Sequence, residues 1–324
     1  MRPFNHINAT TLEEASEILI KENTVAMAGG GDLLGTLKDN ILPIYPKTVV
    51  NLKSIEGLDK ICEDGDTICI GALATLADIA ENPIIRDKAP ALAEAAGKAS
   101  SPSLRETTTI GGNLCQMPRC WYYRKLNNRF DCARKGGDKC FAISGDNRYH
   151  SVFGGATFKN AKDESRTCFA VNQCELAPVL IIMGAKFITT MREIDACDFH
   201  SVGVLSSTIL ERGEILTEIR IPVSDIVQNC KYVRFAFRKS IDFPVINLAF
   251  SVDRDKCYRI CLGGVAPVPY IATAAQEALT GLDMSDDLAA NAGVLSVRDA
   301  KPFEANAYKL QLVKTLVKRG LQTL

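Results

Sequence analysis

Apolar positions along this chain follow two periods, one helical and one of strand type, with a long interruption between them. Leu12, Ala15, Ile18 and Leu19 fall on one helical face, and Thr11 and Glu14 are placed to close a capping box at its start. TVAMA (24–28) reads as a buried strand that runs straight into GGGDLLG (29–35), and TVVNL (48–52) reads as a second strand. With a short helix or turn between them, these predict a small β-α-β unit. Alternation in DKICEDGDTICIGA (59–72) predicts a hairpin turning at Asp64-Gly65. Thr75 is placed to cap a helix through Asn82, and ALAEAAGKA (91–99) predicts another helix.

From Ser100 the pattern stops. SSPSLRETTTIGGN (100–113) is polar and glycine-bearing, and neither period is visible from there to residue 167. Patterning returns at CFAVNQCELAPVLIIMGAKFITT (168–190), a helix followed by a strand, and ILTEIRIP (215–222) reads as a strand. Strands follow at YVRFAF (232–237), VINLAFSV (245–252) and YRICLGGV (258–265), with helices near 271–281 and 303–322. The order predicts an α+β protein whose C-terminal domain begins near 224–230. A long unpatterned stretch inside a compact domain is normally functional or held by something else.

Composition adds little until the cysteines. The chain of 324 residues, 47% hydrophobic and 23% charged, has room for more than one core. Its formal net charge of zero leaves no electrostatic footprint for nucleic acid or a membrane surface. The longest apolar run, LAPVLIIMGA from Leu176, is too short to span a bilayer, and no signal peptide is evident, so a cytoplasmic protein is expected. Disulfides are then not expected among the twelve cysteines. Eight of these (Cys62, Cys69, Cys168, Cys174, Cys197, Cys230, Cys257 and Cys261) lie in or beside apolar segments and read as packing residues. The other four, Cys115, Cys120, Cys132 and Cys140, occupy the polar stretch CQMPRCWYYRKLNNRFDCARKGGDKC (115–140) and are candidates for a metal or cluster. Arg119, Arg124, Lys125, Arg129, Arg134, Lys135 and Lys139 around them read as a solvated loop or as an attractive surface for an acidic carrier.

The glycine stretch after the first strand is neither of the common nucleotide motifs. Leu34 stands where the dinucleotide fingerprint needs glycine, and no Gly-Lys-Ser/Thr follows. Alone it would be a tight turn. A second segment, TTTIGGN (107–113), supplies hydroxyls, two glycines and an amide in one loop. Two such cradles suit a ligand with two phosphates lying between two subdomains.

AGGGDLL together with TTTIGGN resembles the FAD-binding medium subunit, or domain, of the xanthine dehydrogenase and carbon monoxide dehydrogenase flavoproteins. The likeness continues through CELAPVLIIMGAKF, GEILTEIRIP, FRKSIDFPVINLAFSV and GGVAPVPYIATAAQEAL. It implies a two-subdomain FAD-binding part, residues 1–55 and 56–225, with an insertion at about 115–167, and a C-terminal α+β domain over 226–324. It further implies that Ala28, Gly29, Gly30, Gly31, Asp32, Leu33 and Leu34 wrap the FAD pyrophosphate, and that Thr108, Thr109, Gly112 and Asn113 form a second wall. By the same resemblance Glu175 keeps a carboxylate near the flavin, Leu216 offers a backbone contact, and Arg234 lies beside the isoalloxazine.

The insertion is similar to that of the 4-hydroxybenzoyl-CoA reductase β subunit, which carries a [4Fe–4S] cluster, in RCWYYR (119–124), DCARKGGDKC (131–140) and DNRYH (146–150). This implies Cys120, Cys132 and Cys140 as ligands. Tyr149 replaces the fourth cysteine of that family, leaving three possibilities: Cys115 as the fourth ligand, a non-cysteine ligand, or a loop without a cluster. Zinc is a lesser alternative. The resemblance implies an electron-transfer subunit with no catalytic residues of its own. Its expected partners are a molybdopterin-binding large subunit and a [2Fe–2S] small subunit, in a dimer of heterotrimers, with ferredoxin or NAD as external carrier. Two competing readings are a stand-alone flavin oxidoreductase, with His150 as its best-placed base, and a non-enzymatic iron–sulfur or zinc module.

Overall fold

Three main sheets with their helices are seen in a computed structural model that describes residues 1–238 and 241–324. Lys239 and Ser240, inside FRKSIDFPVINLAFSV, lie outside the described residues. The first layer is a parallel sheet in which the strand Thr48–Asn51 lies between Asn5–Asn8 and Thr24–Met27. The predicted β-α-β unit is present, its crossover made by the helix Leu33–Lys38. The edge strand Asn5–Asn8 is polar and largely exposed, so its sequence carries no apolar alternation to reveal it. Thr11 caps the helix Leu12–Leu19, accepting from the Glu14 N–H at 3.2 Å, but the Glu14 carboxylate turns to the Thr10 N–H instead of closing the box.

Next comes a five-stranded antiparallel sheet, with strand order Ile61–Asp64, Thr67–Gly71, Leu216–Pro222, Lys186–Thr189, Glu193–Asp195. The helices Leu76–Glu81, Pro90–Lys98 and Leu176–Ile182 bury Ile79, Leu92, Val179 and Leu180 against it in the main core. The helix expected from Thr75 through Asn82 is present, and Asn82 also caps an unpredicted one, Pro83–Lys88, accepting from Ile84 and Ile85 N–H. The C-terminal layer is a four-stranded antiparallel sheet, Lys231–Phe235, Ile246–Val252, Tyr258–Gly263 and Tyr270–Ile271. Helices Thr273–Leu279, Asp286–Leu295 and Tyr308–Leu321 cover it. No helix among the described residues is long and apolar enough to cross a membrane.

The unpatterned segment is ordered without being regular. It contains two short 3-10 turns, Leu126–Asn128 and Ala133–Lys135, and ends in a hairpin, Ala156–Lys159 paired with Ser165–Cys168. It forms two small satellite cores, one around Ala133, Phe158 and Cys168, the other around Ile41, Tyr123 and Cys132, while Ile110 and Leu114 join the main core and Val152 the C-terminal one.

His200 ties the strand His200–Gly203 to the main core, its Nε2 lying 3.2 Å from the Leu114 carbonyl oxygen. Burial pulls its pKa down to about 4, well below the ordinary imidazole value, so it is neutral in the fold. The unfolded chain therefore binds the extra proton first on acidification. Stability is full above the unfolded imidazole pKa and is lost as pH falls towards 4. The thermal midpoint is expected to drop over that window, and His200→Gln, which keeps a donor for Leu114, is expected to flatten the drop. An equal slope in both proteins would contradict this.

Candidate functional site

The two glycine segments meet. A Cβ built on Gly29 would lie 1.7 Å from the Thr107 carbonyl oxygen, so only glycine lets the two loops come this close. Gly30 has φ +73°, a conformation that other residues rarely adopt. Thr109 caps the short helix Ile110–Leu114 and accepts from the Gly112 N–H at 3.1 Å. Asn113 is held by the Cys174 thiol, which donates to its Oδ1 at 2.9 Å.

Where the loops meet they open a cleft of about 850 Å³, large enough for a dinucleotide-sized ligand. Ala28, Gly29, Gly30, Gly31, Asp32, Leu33, Thr108, Thr109, Gly112 and Asn113 all line it. Leu34, Glu175, Leu216 and Arg234 do not. Leu34 packs back against Gly30, and Leu216 is buried in the main core. Glu175 and Arg234 are nearly buried and face each other at 3.4 Å. Tyr232 donates to the Glu175 carboxylate, and Arg234 donates to the carbonyls of Lys98 and Asp242. Burial raises the Glu175 pKa, opposed by Arg234 and the Tyr232 hydroxyl. The cleft also takes residues that the motifs did not mark, among them Leu104, Cys115, Arg119, Arg212 and Phe243. They come from separate segments and share no motif. Only Arg119 carries a visible reason to be there.

That reason is Asp32. Its carboxylate is paired with Arg119 at 3.1 Å and Arg124 at 2.6 Å and accepts from the Met117 N–H at 3.0 Å. The guanidinium of Arg124 also holds the carbonyls of Met117 and Pro118. The side chain expected to wrap a pyrophosphate is therefore turned into the insertion, while its backbone stays in the cleft wall. The basic residues divide accordingly. Lys125, Arg129 and Lys139 are exposed, but Arg119 and Arg124 are paired, and Arg134 and Lys135 are 4% exposed. A uniformly solvated basic loop is not what the structure contains.

A second, smaller gap lies inside the insertion. Cys120, Cys132, Cys140 and Cys168 all line it, with Tyr123, Ala133, Arg134 and Phe141. Neither Cys115 nor Tyr149 lines this gap. Cys115 ends the helix of the second glycine segment, packs on the main core and lines the large cleft. Tyr149 is 37% exposed, its ring stacked edgewise on Trp121 at 5.5 Å and Phe237 at 6.2 Å. Cys168, read from sequence as a packing residue, is brought in by the hairpin. The neighbouring Cys168 thiol, with nearby N–H groups, lowers the Cys140 pKa to about 6, while that of Cys168 is raised. Burial pushes Cys120 up to about 12. His150 Nε2 lies 3.2 Å from Cys120 Sγ, and burial lowers its pKa to about 4. His150 and His200 are buried and do not line the large cleft.

Two family models account for the chain. Residues 2–224 match the FAD binding domain in molybdopterin dehydrogenase, and residues 231–324 match the CO dehydrogenase flavoprotein C-terminal domain. The chain belongs to this family of FAD-binding oxidoreductase subunits. Among its relatives are the aldehyde oxidoreductase FAD-binding subunit PaoB of Escherichia coli (strain K12), 29% identical over 89% of this chain and 87% of that one. The glyceraldehyde dehydrogenase medium chain of Sulfolobus acidocaldarius is 22% identical over 98% and 97%. In fold it is similar to a chain of quinoline 2-oxidoreductase from Pseudomonas putida 86, with TM-score 0.75, 19% identity and coverage of 99% and 96%. Carbon monoxide dehydrogenase from Hydrogenophaga pseudoflava gives TM-score 0.73 at 22% identity, over 98% and 96%. The residues of the large cleft fit FAD, since a cradle that glycine alone permits opens on a cleft of the right size.

Gly29→Ala places a methyl against the Thr107 carbonyl and must push the two loops apart. The purified protein is expected to lose most of its flavin absorbance while keeping its far-UV circular dichroism. Full flavin occupancy in this variant would show that the loop contact does not shape the site.

Proposed function

We propose that this chain is the flavin-bearing electron-transfer subunit of a molybdenum hydroxylase complex, with the substrate site on a molybdopterin-binding large subunit. Electrons pass between [2Fe–2S] centres of a small subunit, FAD in the large cleft, and an external carrier, either a ferredoxin or NAD. FAD suits this post because it exchanges either one or two electrons. The observation that carries the reading is the single cleft lined by both glycine segments. Ala28–Leu33 and Thr108–Asn113 would hold the dinucleotide part. Glu175, Tyr232 and Arg234 form a buried charged set behind the wall, and they act on the flavin through packing unless a partner subunit opens them. In this reading, residues 1–55 and 56–225 form the two FAD-binding subdomains, 226–324 the C-terminal domain, and two heterotrimers pair.

The insertion adds a [4Fe–4S] cluster to the chain, as in the 4-hydroxybenzoyl-CoA reductase β subunit that it resembles. Cys120, Cys132 and Cys140 line one gap, which supports this, and the gap sits behind the Asp32 clamp on the wall of the large cleft. A cluster there extends the electron path beyond the flavin, towards a carrier docked on the exposed Lys125, Arg129 and Lys139.

Anaerobic purification with flavin, iron and sulfide quantified tests this reading. Expected are one FAD and about four irons per chain, with the electron paramagnetic resonance signal of a reduced [4Fe–4S] centre. FAD without iron or sulfide removes the cluster, and turnover of a substrate by this chain alone contradicts the subunit role.

A further inference from the structure

We propose that Cys168 is the fourth thiolate of the iron–sulfur site, completing a set with Cys120, Cys132 and Cys140 and taking the place that Cys115 held in the sequence reading. This rests on the cluster assigned above. Three independent features of the structure support it.

The first is how Cys168 is delivered. It ends the strand Ser165–Cys168, and the hairpin is pinned to the loop between Cys132 and Cys140 by Arg166. The Arg166 guanidinium donates to the Gly137 carbonyl at 3.3 Å and pairs with Asp138 at 2.9 Å. The thiol therefore arrives by a built contact between two segments, and its position does not depend on flexible chain.

The second is the backbone around its sulfur. The Ala170 N–H donates to Cys168 Sγ at 3.3 Å. A backbone donor on the sulfur is what an anionic thiolate requires.

The third is charge. Arg134 and Lys135 are each 4% exposed, and among the described residues neither has a carboxylate at ion-pair distance. Arg134 donates to the Ser206 carbonyl at 2.6 Å and Ser207 Oγ at 2.9 Å, and its Nε has no partner. Lys135 Nζ donates to the carbonyls of Ile41 and Tyr123, both at 3.3 Å, and lies 5.6 Å from the centre of the Tyr123 ring. Two buried cations without counter-charge are costly. Neutral thiols do not offset them. Four thiolates on a [4Fe–4S] core do, because each thiol gives up its proton on ligation and the assembly is a net anion.

The test compares the full-length wild type with Cys168→Ser and Cys115→Ser, all purified anaerobically, for iron, sulfide, FAD and the reduced-state resonance spectrum. Expected is loss of the four-iron signal, or its conversion to a three-iron signal, in Cys168→Ser with FAD retained, and an unchanged cluster in Cys115→Ser. An intact, spectrally unchanged cluster in Cys168→Ser overturns the assignment and leaves the cluster reading standing. No iron in the wild type overturns the cluster reading itself. If Cys168→Ser does not fold, alkylation of the wild type before and after iron is stripped by a chelator decides the matter. Labelling of Cys168 that rises together with that of Cys120, Cys132 and Cys140 supports the assignment; labelling that does not change overturns it.

Discussion

The Asp32 carboxylate joins the two halves of this molecule's chemistry. It belongs to the glycine loop that shapes the flavin cleft, yet its oxygens are taken by Arg119, Arg124 and the Met117 N–H from the insertion. Arg119 immediately precedes Cys120, and the Arg124 N–H returns to the Cys120 carbonyl at 2.9 Å. The turn that presents the first cysteine is therefore the same turn that grips the flavin loop. These ion pairs are only 17–25% exposed at their side chains, so they are screened less than surface pairs and hold geometry as well as charge. A change on either side of the clamp reaches the other through a few bonds.

The insertion has little else to hold it. Its apolar residues make two small satellite cores and, through Val152 and Phe153, one contact with the C-terminal core, which is little for a segment of this length. What it has in excess is polar investment: buried Arg134 and Lys135, and thiols gathered around one gap. That balance fits a segment whose last stabilising element is a bound anionic centre, since ligand binding to a site that exists only in the fold becomes folding free energy.

Much of the fold was legible because the periods are local. The first β-α-β unit, the 59–72 hairpin and the C-terminal strands all appear where alternation or helical spacing placed them. The misses are equally physical. Asn5–Asn8 is a polar edge strand, and Pro83–Lys88 is a helix too short to show an apolar period. In the site, the two glycine segments were legible from residue type, and the structure brings them to one cleft. Glu175 and Arg234 were legible as charged residues but not as partners of each other, because strand and helix meet there only in three dimensions. That Cys168 lines the gap with the other three cysteines was hidden by its apolar neighbours in CFAV. A thiol at the foot of a hairpin looks like core until the hairpin is folded back.

The most direct measurement is anomalous X-ray scattering at the iron edge from crystals of the holoprotein complex. A compact iron peak centred among the sulfurs of Cys120, Cys132, Cys140 and Cys168, beside the FAD cleft, is the expected result. Iron beside Cys115, or no iron in this chain at full FAD occupancy, would contradict it.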